Sequence, residues 1–217
     1  PVVIADRDLV GDVAERLAAS DAPVALDLET YDQRNALNPW RGDIRILSIA
    51  LPGVPPWLLD LRALGYDLGP LAGVLSSGTV LGHNIKFDCL WLKVKCGLVL
   101  PRVLDTMTAS RLLVAGSDEA NGLDDVMKRH LGADLPKALG RCDWGGLVLT
   151  EEQLRYCAND VAYLQKLHDI LSRELEAAGL TAVYRMEMEL LPHVVDMEAR
   201  GVLVDRARMA AYRAAAE

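Results

Sequence analysis

Apolar positions recur with a strand period in the first half of the chain and with a helix period in the second. Val2 to Ile4 reads as a short strand and Asp8 to Ala19 as an amphipathic helix. Pro23-Val-Ala-Leu-Asp-Leu-Glu-Thr30 then reads as a buried strand, Ile44 to Leu51 as a second and Trp57 to Leu61 as a third. The Pro/Gly-rich turns between them predict an antiparallel meander. Next, Leu68 to Leu75 predicts a helix, Thr79 to Leu81 a strand, Ile85 to Lys95 a helix and Arg102 to Leu104 a strand. From Thr106 onward the period is helical, with Thr106 to Val114, Leu123 to Leu131, Glu151 to Ala158 and Val161 to Ala178 as the main pieces. This order predicts an α/β fold in which a sheet is flanked by helices.

Four carboxylates fall at places where their side chains could converge, the first two inside an otherwise apolar strand. Asp27 and Glu29 lie two residues apart on one predicted strand, so the pleat points both to the same face. A D-x-E pair alone is a weak signal, and a solvated sheet edge would carry one equally well. A charged pair inside a buried strand, however, costs several kcal/mol unless it is partnered or holds a cation. Asp88 follows in Gly82-His83-Asn84-Ile85-Lys86-Phe87-Asp88, about one turn into a helix and aimed back toward the ends of the strands. Asp160 sits four residues after Tyr156, on one helical face. Each of these positions also has a plain structural reading, as a solvated helix face or a core aromatic.

Composition narrows the classes. The chain has 217 residues, 51% of them hydrophobic and 25% charged, enough for one substantial core. Its net charge of −8 argues against a broad basic face for duplex nucleic acid. A local grip on a strand end, bridged by divalent cations, is compatible with that charge. Cys89, Cys96, Cys142 and Cys157 lack CxxC spacing and are read as reduced thiols. No apolar run approaches the roughly 20 residues needed to cross a bilayer, and the N-terminus lacks a signal-peptide layout. The expectation is a cytoplasmic location and no membrane partner.

Taken in order, Leu26-Asp-Leu-Glu-Thr30, the Gly82 to Asp88 run and Tyr156-x-x-x-Asp160 resemble the DEDD superfamily of 3′-5′ exonucleases, whose fold is ribonuclease H-like. Arg155 stands where the histidine subgroup has its catalytic residue, and Tyr156 matches the tyrosine subgroup, DEDDy. The resemblance covers residues 1 to 178. Gly82 to Asp88 and Asp105-Thr-Met107 are similar to the proofreading domain of family A DNA polymerases; Lys137, Asp143-Trp144 and Gln153 to Leu164 are similar to ribonuclease D. Residues 179 to 217 resemble the helical segment that joins exonuclease to polymerase in family A enzymes. A polymerase region in a longer parent chain and a free-standing nuclease are both open readings.

The resemblance implies a mixed five-stranded sheet flanked by helices, with a C-terminal helical extension. It also implies a two-metal mechanism with Mg²⁺ or Mn²⁺. Asp27 would bridge both ions, Glu29 and Asp160 would hold the ion that activates water, and Asp88 would help hold the other. Tyr156 would orient the nucleophile, because a phenol with a reference pKa of about 10 is a poor base near neutrality. Thr30, Asn84 and Phe87 are the candidates for contacts to the terminal nucleotides, with core packing the favoured role for Phe87. Gln33 occupies the position where proofreading domains often carry an apolar wedge. His83 is expected to be structural and Asp105 a helix N-cap. The predicted partner is the 3′ end of single-stranded DNA, with RNA, as in ribonuclease D, as the alternative and a catalytically silent binding module as the third reading.

Overall fold

The computed structural model describes residues 1–31, 37–133 and 142–216. Gln33 and Lys137 lie outside them. Six strands form one sheet in the order β1-β4-β3-β2-β5-β6, comprising β1 (Val2–Ile4), β2 (Val24–Tyr31), β3 (Asp43–Ala50), β4 (Trp57–Asp60), β5 (Val80–Gly82) and β6 (Val103–Asp105). The β2-β3-β4 meander is antiparallel, whereas β5 runs parallel to β2, β6 parallel to β5 and β1 parallel to β4. The expected five strands become six because β1 pairs at the edge, matching Val2, Val3 and Ile4 with Trp57, Leu58 and Leu59.

Helices cover both faces. On the larger face, α1 (Arg7–Ala18), α2 (Pro70–Ser77) and α3 (Ile85–Cys96) pack with α5 (Leu123–Leu131), α7 (Leu164–Ala177) and α8 (Thr181–Arg200). Leu26 and Leu28 of β2 point into this core. The opposite face of the sheet is smaller, and there Ile46 and Leu58 bury against Trp144 and against Cys157 of α6 (Glu151–Ala162). Helix α6 starts with a capping box between Thr150 and Gln153 and runs unbroken through Ala158 to Ala162, where the sequence predicts a gap. The strand alternation thus divides β2: leucines face one layer, and Asp27 and Glu29 face the other, beneath α6.

Two features fix the edge of the sheet where the strands β2, β5 and β6 end. Asp105 caps α4 (Thr106–Leu113), accepting from the backbone N–H groups of Met107 and Thr108, as expected of an N-cap. The same carboxylate accepts the Asn84 N–H at 2.7 Å, which anchors the chain entering α3. Helix α8 buries Tyr184, Met188, Leu191 and Val195 along one side. The Tyr184 hydroxyl accepts the Asp105 N–H at 2.9 Å. No residue of α9 (Arg206–Ala216) is buried. Among the described residues no helix is long and apolar enough to cross a membrane.

Candidate active site

Carboxylate oxygens of Asp27, Glu29 and Asp160 lie within 4.8 Å of one another. Two come from adjacent outward positions of β2 and the third from the face of α6 that lies over them. Glu29 and Asp160 are buried and Asp27 is half-buried. Asp88 is buried as well, at 3% exposure, and faces the group from α3, although its oxygens stand outside the mutual 4.8 Å set. The charges of Asp27 and Asp105 are felt at its carboxyl.

The four groups disfavour their own ionisation. Removal from water pushes Asp27 up to about 7. Burial, with the Asp27 charge added, pushes Asp160 up to about 8. Glu29 is raised by burial and then by Asp27 and Asp160, and Asp88 by burial and Asp27. Like charges gathered in a poorly solvated place hold protons unless a cation replaces them. The donor set is all carboxylate oxygen, the kind that Mg²⁺ and Mn²⁺ prefer. One oxygen of Asp88 is buried with no hydrogen-bond partner among the described residues, which leaves it available to a cation or to water held by one. These residues fit a divalent-metal centre.

Tyr156 sits on α6 one turn before Asp160. Burial and the carboxylates of Asp160, Glu29 and Asp27 hold its phenol well above the usual tyrosine range, so it stays protonated. Its ring lies tilted against Trp144, with centroids 6.3 Å apart. Arg155 is exposed.

The remaining expected residues divide. Thr30 is half-buried beside the irregularity in the β2/β3 pairing. Asn84 is exposed and holds the left-handed conformation at φ 61°, immediately before α3. Phe87 packs on the larger core and tilts against Trp91 at 5.7 Å, in keeping with a packing role. His83 is structural: its ring nitrogens meet Thr106 Oγ1 at 2.8 Å and the Asn121 carbonyl at 2.9 Å.

A sequence profile of 3′-5′ exonucleases matches residues 1–176. The chain belongs to the 3′-5′ exonuclease family. Members of this family are hydrolases that act on nucleic acids. This exonuclease chain is 35% identical over 125 residues to DNA polymerase I of Aquifex aeolicus, covering 56% of the chain and 21% of that protein. It is also 28% identical over 190 residues to ribonuclease D of a Jannaschia species, covering 83% of the chain and 48% of that protein. The chain therefore spans about a fifth of one relative and just under half of the other. Brucella melitensis NrnC bound to pGG superposes with a TM-score of 0.76 at 28% identity, over 85% of this chain and 87% of that one. NrnC with bound Mg²⁺ also gives 0.76, at 26% identity and 92% coverage of each chain. Similarity to the two groups leaves DNA and RNA both open as substrates of this exonuclease.

Proposed function

We propose that this exonuclease removes nucleotides from the 3′ end of single-stranded DNA, releasing nucleoside 5′-monophosphates. The observation that carries it is the convergence of Asp27, Glu29 and Asp160 next to Asp88 and a protonated Tyr156. Asp27, Glu29, Asp88 and Asp160 would hold two divalent ions, Mg²⁺ or Mn²⁺. When bound, such ions lower the pKa of water and stabilise charge on the phosphoryl oxygens.

The residues of the chain supply placement. With cations bound, Asp27, Glu29, Asp88 and Asp160 would ionise and give an anionic lining, Glu29, Asp88 and Asp160 buried and Asp27 half-buried, each carried on a strand or helix. Tyr156 cannot take a proton from water at neutral pH; as a donor it orients the attacking oxygen or the scissile phosphate. Asn84, exposed and backbone-anchored by Asp105, and Thr30, next to Glu29 in β2, would supply contacts for the terminal sugar and phosphate. Trimming of RNA is the second reading, favoured by similarity to ribonuclease D over 83% of the chain.

The test uses 5′-labelled DNA and RNA oligonucleotides with Mg²⁺, Mn²⁺ or chelator. A stepwise 3′-to-5′ ladder on DNA, dependent on metal and weaker on RNA, is expected. A ladder on RNA alone supports the second reading, and no metal-dependent ladder on either strand overturns both. Tyr156→Phe is expected to slow the ladder by about tenfold to a hundredfold, the scale of a misplaced reacting group, without changing metal affinity.

A further inference from the structure

Strand β3 carries one residue more than its partner where it passes Glu29. Glu29 pairs with Ile46, yet Thr30 pairs with Ile44, so Arg45 is the extra residue of a β-bulge. A bulge bends its strand and re-aims a side chain that strict alternation would send to the other face. Ile46 points into the small cluster with Trp144 and Cys157, and Arg45 reaches the same side.

Only 4% of Arg45 is exposed. Its Nε donates to Asp60 Oδ2 at 3.1 Å, and the rest of the guanidinium meets a run of carbonyls in the segment leading to α6. Nη1 donates to the Trp144 carbonyl at 3.2 Å and to that of Gly146, and Nη2 to that of Leu147 at 3.3 Å. Arg62 adds a bond to the Gly145 carbonyl at 3.1 Å, and Gln153 one to the Asp143 carbonyl at 3.2 Å. Trp144, whose own carbonyl is in this grip, is 3% exposed and forms the wall against which the Tyr156 ring lies.

We infer that Arg45 is a positioning residue for hydrolysis, acting through Trp144 to fix the phenol of Tyr156 over the carboxylate cluster. A buried cation is costly to place, and here its donors are used on a segment whose one aromatic touches Tyr156. With the guanidinium gone, three carbonyls lose their donor, the segment relaxes, and the phenol samples orientations that do not serve the reacting atoms. Metal binding by the carboxylates and substrate contact at Asn84 and Thr30 would be untouched, so the defect would fall on kcat.

The inference rests on the role given to Tyr156, and a double-mutant cycle separates the two. Arg45→Met, Tyr156→Phe and the pair are compared on one DNA oligonucleotide with saturating Mg²⁺, each scaled to its folded fraction. The expected result is a loss of roughly tenfold or more in kcat for Arg45→Met. Its KM should stay within about twofold, and the effect should shrink to less than about twofold in the Tyr156→Phe background. Arg45→Lys, which keeps one donor direction, should fall between. An equal loss of kcat in both backgrounds, or a change confined to KM, overturns the inference. Tyr156→Phe with unchanged kcat removes the role of Tyr156 itself, whereas a slow Tyr156→Phe beside an unaffected Arg45→Met strikes the inference alone. Should Arg45→Met fail to fold, Trp144→Leu, which deletes the wall without stranding a charge, is judged by the same cycle.

Discussion

Asp27 on β2 and Asp160 on α6, 133 positions apart in the chain, bring carboxylate oxygens within 4.8 Å of each other. Without a cation this closeness opposes folding, and a bound cation would offset that cost. Asp27→Asn and Asp160→Asn should each lower metal-dependent hydrolysis by more than about a hundredfold, the upper end of the effect of losing a metal's outer partners. In chelator both variants should melt at or above the unaltered protein, because a repelling charge is gone. Parallel nuclease assays and thermal melts check this, and a variant that keeps its activity would remove its carboxylate from the site.

The stability of the metal-free protein should depend on pH with a definite sign. Asp27 moves from 3.8 to about 7 and Asp160 from 3.8 to about 8 on folding. Between those limits the folded chain holds more protons than the unfolded one, so unfolding free energy falls as pH rises from about 4 to about 8. Added Mg²⁺ should oppose the fall, and its effect on Tm should widen with pH. Melts in chelator across this range test it; a Tm that climbs toward pH 8 would contradict it.

Tyr184→Phe should weaken the fold. The hydroxyl of Tyr184 takes up the buried N–H of Asp105, and an unsatisfied buried donor costs about 1–3 kcal/mol. Denaturant unfolding should show that loss as a lower midpoint with an unchanged slope.

Gly82→Ala should damage both stability and hydrolysis. A methyl group at Gly82 would run into the side chain of Ile85, the first residue of α3 and fully buried. Relief requires α3 to shift, and α3 carries Asp88. Overpacking of this kind costs about 1–3 kcal/mol. Chemical denaturation and the nuclease assay together measure it, and unchanged values in both would show that α3 accommodates the methyl group.

Legibility in the sequence followed the range of the interactions. The alternation of leucine and acid in β2 placed Asp27 and Glu29 on one face, and the four-residue step from Tyr156 to Asp160 placed both on one side of α6, since local geometry settles such spacings. The meander and the Asp105 cap were readable for the same reason. The edge pairing of β1 was not, because a three-residue strand acquires its partner only in the assembled sheet. Nor was Arg45: inside an apolar strand a lone arginine reads as an edge residue, and the bulge that re-aims it exists only in the register between β2 and β3. Trp144 stood out as a similarity to ribonuclease D, but its place against Tyr156 depends on contacts about a hundred positions apart, from Arg45 to Trp144.

Asp105 touches no member of the carboxylate cluster's mutual set, yet it holds the backbone of Asn84, the first turn of α4 and, through its own N–H, the hydroxyl of α8. Because Asn84 immediately precedes α3, that clasp sets the rotational phase of the helix, and the phase decides whether Asp88 turns inward. Three separate chain segments are therefore tied to one residue, two by its carboxylate and one by its backbone N–H, and a lesion in that carboxylate would be felt as a misaimed ligand one helical turn beyond the point where the clasp takes hold.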